Sequence, residues 1–113
     1  MFSDVITIKE EDSVTNAAKI MLEQNITHIP VVTDENKLIG IVTSWDLSKS
    51  IATNSNILKD IMTTTVKFCH SSDSIADISR MMSKFDISCL PVVDEDFVVE
   101  GLITVDQIND IFS

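Results

Sequence analysis

Several residue types are scarce in this 113-residue chain, and each scarcity excludes a class of protein. Two cysteines are too few for a disulfide scaffold, so we expect a reducing, cytoplasmic environment. With two glycines, two prolines and 44% hydrophobic residues, the chain is neither collagen-like nor disordered. Its longest apolar run, Leu38 to Val42, is far shorter than the ~20 residues of a membrane helix. The N-terminus shows no signal-peptide pattern, which leaves a soluble globular domain as the expectation.

Basic residues are also scarce, and this narrows the possible partners. Eighteen acidic residues stand against eight lysines and arginines, which gives a net charge of −10, and Arg80 is the single arginine. Nucleic acids and anionic membrane surfaces are bound through clusters of basic side chains. The sequence contains no such cluster, so we expect neither nucleic-acid binding nor membrane insertion.

What the chain does have is an internal repeat at a spacing of 61 residues. Comparing residues 4–47 with residues 65–108 without a gap gives ten identities. Both prolines and both glycines of the chain fall in register, as Pro30 does with Pro91. These two residue types mark fixed backbone geometry, so their coincidence indicates a structural repeat. A copy of this length is too short to bury a core alone, and two copies packed together are the natural unit.

Each copy is predicted to be a strand–helix–strand–strand–helix unit. In the first copy, the β-branched run Val5–Ile8 predicts a strand, and Ser13 is a plausible N-cap for the helix that follows. Residues 29–33 and 38–43 predict a hairpin, after which Thr43 or Ser44 caps a second helix. The second copy predicts the same order, with a strand near Val66, a helix from Ser74 to Lys84, strands Leu90–Val93 and Val98–Thr104, and a helix to Phe112.

These residues resemble the cystathionine-β-synthase (CBS) domain, two of which in tandem form a Bateman module. The resemblance is carried by the x-Pro-Val-Val strand and by the Gly-h-h-Thr-x-x-Asp-h turn, where h is hydrophobic, and it covers nearly the whole chain. It implies an α/β (α+β) fold of two tandem β-α-β-β-α repeats packed in pseudo-twofold symmetry. We place repeat 1 at residues 1–52, a linker or start of repeat 2 at 53–60, and repeat 2 at 61–113.

The resemblance also implies a class of function. Tandem CBS domains are regulatory sensors of adenosyl compounds such as AMP, ADP, ATP, NAD, S-adenosylmethionine and 5′-methylthioadenosine, which act as effectors and not as obligatory cofactors. They often dimerise into a disc and accompany a larger enzyme, channel or transporter. The first copy lacks the Ile61-Met62-Thr63 lead-in of the second, which indicates a chain cut from a longer protein. The alternative is a ligand-free structural or dimerisation module.

The turn that ends the first copy's hairpin has the chemistry that such a ligand needs. Thr43 and Asp46 fall at a strand end and in the first turn of a helix, where free N–H groups and the helix dipole favour an anionic group. The Asp46 carboxylate can accept hydrogen bonds from both ribose hydroxyls. The simpler interpretation is that Thr43 and Asp46 only cap the helix.

The resemblance implies two clefts, each with a ribose-binding turn from one copy and an adenine side from the other. For the first cleft it names Ile41, Thr43, Trp45, Asp46, Thr65, Val66, Ser88, Cys89 and Pro91. For the second it names Asp4, Val5, Ile6, Thr27, His28, Pro30, Leu102, Thr104 and Gln107.

The second copy departs from the family pattern at its turn. Gln107 occupies the place of the ribose-binding Asp, and Asp106 falls one position early, which on a helix is a rotation of about 100°. A neutral amide accepts hydrogen bonds more weakly than a carboxylate. We therefore expect the Asp46 cleft to be the better adenosyl site.

The residue two positions before each proline bears on the charge of the ligand. In phosphate-binding members of the family a basic residue often stands there, whereas the first cleft has Cys89. Phosphates buried without a partner are costly, which favours S-adenosylmethionine or 5′-methylthioadenosine. AMP, ADP and ATP stay open, because backbone amides or a second subunit can supply donors.

No catalytic or metal site is expected. Cys69 aligns with Ile8 of the first copy and is interpreted as a buried apolar residue, not as a metal-binding partner of His70. Cys89 and His28 are expected on opposed walls, so no four-ligand zinc set can be assembled. With no nucleophile–base pair and no residues left for a catalytic domain, we do not expect an enzyme.

Overall fold

The computed structural model describes residues 5–112, the last two by their backbone only. The chain divides into two compact units, residues 6–66 (the first unit) and Val5 with residues 67–112 (the second unit). The first unit contains β1 (Ile8–Lys9), α1 (Val14–Gln24), β2 (His28–Val32), β3 (Leu38–Thr43), α2 (Ser44–Thr53) and α3 (Leu58–Ile61). The second contains β4 (Cys69–His70), α4 (Ile75–Phe85), β5 (Cys89–Val93), β6 (Val99–Thr104) and α5 (Val105–Phe112).

Each unit is built on one three-stranded mixed sheet with the same topology. The first short strand runs parallel to the middle strand, which pairs antiparallel with the third in the orders β1-β2-β3 and β4-β5-β6. Residues 61 positions apart take the same place: Pro30 pairs with Ile41, and Pro91 pairs with Leu102. The predicted α+β fold with two equivalent repeats is confirmed.

The helix starts follow from side-chain caps that the sequence predicts. The Ser13 hydroxyl accepts the N–H of Asn16 at the start of α1, and Ser74 does the same for Asp77 at the start of α4. Such a cap satisfies one of the N–H groups that a helix end leaves without a partner. Thr43 caps α2.

The first strand of each copy is shorter than predicted and lies later in the chain. Val5–Ile8 was expected as a strand, but β1 is Ile8–Lys9, and in place of a strand near Val66 the structure has β4 at Cys69–His70. Both strands pair over two residues only, with the ends of β2 and β5. A β-branched run without a ladder partner does not form a strand, because strand formation depends on cross-strand packing.

The segment between the copies belongs structurally with the first unit. Leu58 and Ile61 of α3 are fully or nearly fully buried and join the core that β2, β3 and α1 form. The N–H of Val14 donates to the carbonyl of Asn56 at 3.1 Å. The segment predicted as a linker therefore contains a helix that contributes to the first unit's core.

The core of each unit is formed by its sheet and helices. Cys69 is buried in the second unit's core with Leu90 and Ile103, as the interpretation of this cysteine as an apolar residue predicts. Among the residues that the structure describes, no helix is both long enough and apolar enough to cross a membrane.

Candidate functional site

The turn between β3 and α2 is closed by a reciprocal pair of hydrogen bonds between Thr43 and Asp46. The N–H of Thr43 donates to Oδ2 of Asp46 at 2.9 Å, and the N–H of Asp46 donates to Oγ1 of Thr43 at 3.3 Å. This is a capping box, which satisfies two of the free N–H groups at the start of α2. Of the two candidates, Thr43 and Ser44, Thr43 is therefore the cap of α2, and contact of Asp46 with a ribose stays a prediction.

Two further side chains bind the same carboxylate. Nζ of Lys49 lies 3.0 Å from Oδ1 of Asp46, and the Thr63 hydroxyl donates to Oδ1 and Oδ2 at 3.3 and 3.5 Å. Asp46 is only 1% exposed and is the one buried charged residue among those that the structure describes. Burying a carboxylate is costly unless donors of this kind bond its oxygens.

Thr63 is brought to Asp46 by a short pairing with β3. Its N–H and carbonyl exchange two hydrogen bonds of 2.9 Å with those of Ile41. The close approach depends on Gly40, because a Cβ there would lie 3.0 Å from the carbonyl oxygen of Thr63 and 3.2 Å from Sδ of Met62. The glycine of the repeat motif therefore makes room for the segment that binds Asp46.

Six of the nine residues predicted for the first cleft lie in the first unit. Ile41, Thr43 and Asp46 are held together as described, and Trp45, between the two capping residues, is 72% exposed. Thr65, which is exposed, and Val66, which is half-buried, follow shortly after Thr63 in the chain. Ser88, Cys89 and Pro91 belong to the second unit, and their part in this cleft stays a prediction.

His28, predicted for the second cleft, lies close to the first unit's own turn. It is paired with Thr43 across the β2–β3 ladder, and its Nδ1 lies 2.8 Å from Oγ1 of Thr27. Burial lowers the pKa of His28, and the negative charge of Asp46 partly opposes this by raising it. The imidazole and the carboxylate are therefore electrostatically linked within one unit.

The second copy's turn has the same backbone geometry with a neutral side chain. The N–H of Thr104 donates to Oε1 of Gln107 at 2.9 Å, and the N–H of Gln107 donates to Oγ1 of Thr104 at 3.3 Å. Gln107 is exposed, whereas its counterpart Asp46 is buried. Gln107 thus replaces Asp46 as a capping residue without supplying a charge.

The other residues predicted for the second cleft are divided between the two units. Ile6, Thr27 and Pro30 lie in the first unit, while Val5 and Leu102 lie in the second, so the cleft they were assigned to stays a prediction. Asp4 lies outside the described residues.

Both cysteines are free and buried, and their surroundings keep them protonated. Burial raises the pKa of the Cys89 thiol to about 12, and burial with the nearby charge of Asp73 raises that of Cys69 to about 11. Nδ1 of His70 lies 2.9 Å from the carbonyl oxygen of Val93 and makes no Cys–His pair with its neighbour. Within residues 5–112, no group of three or more His, Cys, Asp or Glu residues is arranged to hold a metal ion.

The sequence reasoning did not name Lys49 or Thr63 as a site residue. Lys49 follows Asp46 by three residues on a helix, a spacing that brings side chains together and signals an ion pair. Thr63 gives no such signal, because it lies 17 residues away and reaches Asp46 only through the pairing with Ile41.

Comparison with known proteins identifies the repeats. The family model of the CBS domain matches residues 1–53 and 58–113. A homoserine O-acetyltransferase of Methanobrevibacter ruminantium is 54% identical over 113 residues, which cover 100% of this chain and 23% of that protein. An L-aspartate semialdehyde sulfurtransferase of Methanocaldococcus jannaschii is 39% identical over 107 residues, covering 95% and 21%. The chain thus spans less than a quarter of the length of these curated relatives.

Solved structures share the fold over almost the whole chain. The CBS domain pair of protein MJ0100, in complex with 5′-methylthioadenosine and S-adenosyl-L-methionine, has a TM-score of 0.90 and 38% identity, and the match covers 98% of this chain and 90% of that one. CBSX2 in complex with AMP has a TM-score of 0.87 and 25% identity, with 96% and 87% covered. The chain therefore belongs to the CBS domain family, as a tandem pair of CBS domains.

Proposed function

We propose that this chain is a regulatory module that binds an adenosyl compound at the turn between Thr43 and Asp46. The observation that carries the proposal is a buried carboxylate at a helix start, whose oxygens are bonded by Thr43, Lys49 and Thr63. Two related domain pairs, those of MJ0100 and CBSX2, were solved with adenosyl ligands, which supports the ligand class.

The chemistry of the turn fits a ribose. A charged carboxylate accepts hydrogen bonds from hydroxyl groups more strongly than a neutral acceptor does, and its two oxygens match a pair of neighbouring hydroxyls. Trp45, which precedes Asp46 in the chain and is exposed, is the aromatic residue predicted for this cleft. The residues predicted for the adenine side are Thr65 and Val66 on the same unit, joined by Ser88, Cys89 and Pro91.

We propose that the preferred ligand carries little negative charge, as S-adenosylmethionine and 5′-methylthioadenosine do. The cation nearest the turn, Lys49, is already paired with Asp46. Cys89, predicted for the opposite wall, is neutral because its pKa is raised to about 12. A polyphosphate would need unpaired cations, and the net charge of −10 works against it.

The proposed role is to control a larger protein. The curated relatives are enzymes several times longer than the matched segment, so the partner we propose is an enzyme on the same or an associated chain. A homodimer is part of the proposal. Ligand binding can shift such a module only by as much as its affinity differs between two states of the module.

The exposed tryptophan provides the test. Trp45 is the only tryptophan of the chain and is next to Asp46, so its fluorescence reports on the proposed site directly. We expect saturable changes with 5′-methylthioadenosine and S-adenosylmethionine at lower concentrations than with ATP. Native mass spectrometry of the purified protein would show any retained ligand and the subunit number. The proposal would be contradicted if no adenosyl compound changed the Trp45 fluorescence below millimolar concentration.

A ligand-free structural module is the second candidate function. The completed capping box favours it, because helix capping alone accounts for both Thr43 and Asp46. A dimer whose stability is indifferent to every adenosyl compound would support this candidate.

A further inference from the structure

The carboxylate of Asp46 has no free acceptor position to offer a ligand in its present arrangement. Oδ2 accepts the N–H of Thr43 at 2.9 Å and its hydroxyl at 3.2 Å, while Oδ1 faces Nζ of Lys49 at 3.0 Å. The Thr63 hydroxyl is shared between the two oxygens at 3.3 and 3.5 Å. A carboxylate has about four acceptor sites, so any hydroxyl that binds Asp46 has to replace a donor already present.

These donors differ in how readily they can be replaced. The N–H of Thr43 is fixed by the backbone of the capping box and by the β2–β3 ladder. Lys49 has a long side chain that is 46% exposed, and water can solvate its ammonium group when it moves away. The bonds from Thr63 are the longest, and bonds of this length are weak.

We propose that the Thr63 hydroxyl is a latch on the Asp46 carboxylate, which a ribose hydroxyl of an adenosyl ligand displaces on binding. The inference rests on the proposed function, because it assigns a resting partner to the same ribose-binding group. It makes Thr63 a positioning residue that sets the affinity of the site.

Thr63 lies near the point in the chain where the first unit ends. Its backbone is bonded to Ile41, and α3 before it is anchored in the core by Leu58 and Ile61. Directly after it, the chain passes through Thr65 and Val66, and the second unit begins at Lys67. Thr63 is thus paired with the first unit through its backbone, close to that unit's end. Ligand binding at Asp46 would change the contact of its side chain.

The latch predicts opposite effects on stability and on affinity. Thr63→Val keeps the shape of the side chain but removes the donor, which leaves the buried carboxylate less well satisfied. The free protein should become less stable, with a melting temperature lower by ~2–5 °C. The same variant should bind adenosyl compounds about three- to tenfold more tightly, because no bond has to break and the ribose restores the missing donor.

The experiment compares three variants by calorimetric titration with 5′-methylthioadenosine and by thermal unfolding. Thr63→Val should show the lower melting temperature and the tighter binding. Thr63→Ser keeps the hydroxyl and should restore wild-type affinity. Thr64→Val is the matched control. Thr64 is an exposed neighbour and is not among the residues bonded to Asp46, so this variant should leave affinity unchanged.

The outcomes separate the latch from the proposed function. If the wild type binds the compound and Thr63→Val binds it with equal or lower affinity, the latch is overturned. The proposed function would still stand in that case. Failure of every variant to bind would overturn both. Binding by Thr63→Val alone would support both and would show that the latch keeps the wild-type site closed.

Discussion

Nζ of Lys49 lies 3.0 Å from Oδ1 of Asp46, and this contact joins a half-exposed cation to a carboxylate that is almost wholly buried. The two residues are separated by three positions on α2, so the helix itself holds them together. The pair supplies one of the donors that the buried carboxylate needs beside the proposed ligand site. The corresponding positions of the second copy are occupied by Gln107 and Asp110, neither of which is a basic residue.

Removing the cation should destabilise the first unit. We expect Lys49→Met to lower the free energy of unfolding by about 1–2 kcal/mol, because the carboxylate loses a charged donor. The loss is smaller than for a fully buried pair, since the lysine side chain is half exposed and screened by water. The measurement is urea unfolding, and the control is Lys19→Met, which replaces an exposed lysine of α1. Equal stability of the two variants would refute the role given to Lys49.

The link between His28 and Asp46 can be measured by titration. Asp46→Asn removes the negative charge that raises the pKa of His28, so that pKa should fall further below its ordinary value. NMR titration of the imidazole protons measures it, with His70 as an internal reference. Asp34→Asn, which removes an exposed charge beyond the opposite end of β2, should have no effect on His28. A His28 pKa that stays constant in Asp46→Asn would contradict the geometry.

The buried cysteines predict a loss of stability in alkali. A thiol has an ordinary pKa of 9.0, and burial raises that of Cys89 to about 12, so ionisation is favoured in the unfolded chain. The stabilisation from the neutral thiol is complete below pH 9 and is lost as the pH rises from there towards 12. Between pH 9 and 10 the unfolding free energy should fall by about 1 kcal/mol for this thiol. The test is urea unfolding of the wild type and of Cys89→Ala at pH 9 and pH 10. Between these pH values, the variant should lose less unfolding free energy than the wild type, by about 1 kcal/mol. Equal losses in the two proteins would argue against the burial effect.

Gly40 should tolerate no side chain. In Gly40→Ala the new Cβ would lie 3.0 Å from the carbonyl oxygen of Thr63, so this backbone has to move. We expect a loss of about 1–3 kcal/mol, typical of overpacking, and faster hydrogen exchange at the amides of Ile41 and Thr63. Unchanged protection of these two amides would show that the pairing does not depend on the glycine.

The second turn should gain a ligand when it gains a carboxylate. Gln107→Asp restores the family's residue in a capping box whose geometry already matches that of the first turn. Calorimetric titration with 5′-methylthioadenosine should then show an additional binding event that the wild type lacks. Gln107→Asn, which stays neutral, is the control, and identical stoichiometry in all three proteins would mean that charge at this position does not decide binding.

Much of the fold could be predicted because the chain repeats itself. The coincidence of Pro30 with Pro91 located the middle strands, and Ser13 and Ser74 located the helix starts within one residue. Both β2 and β5 begin one residue earlier than predicted. These features depend on local backbone chemistry, which a sequence shows directly.

The features that sequence reasoning missed depend on contacts distant in the chain. Residues 53–56 are a polar link in the sequence, and the burial of Leu58 and Ile61, which follow it, becomes visible only in the folded first unit. Thr63 reaches Asp46 because Gly40 lets two backbone segments approach, which no local pattern encodes. The turn residues Thr43 and Asp46 were found because their spacing is itself the motif.

The most direct test of the account is a calorimetric titration of the wild type and of Asp46→Asn with 5′-methylthioadenosine, with Gln107→Asn as the matched control. We predict that the wild type and Gln107→Asn bind the compound below millimolar concentration. We predict that Asp46→Asn binds at least about tenfold more weakly, because a neutral amide replaces the charged acceptor of the ribose hydroxyls. Equal binding by Asp46→Asn and the wild type, or no binding by the wild type, would contradict the account.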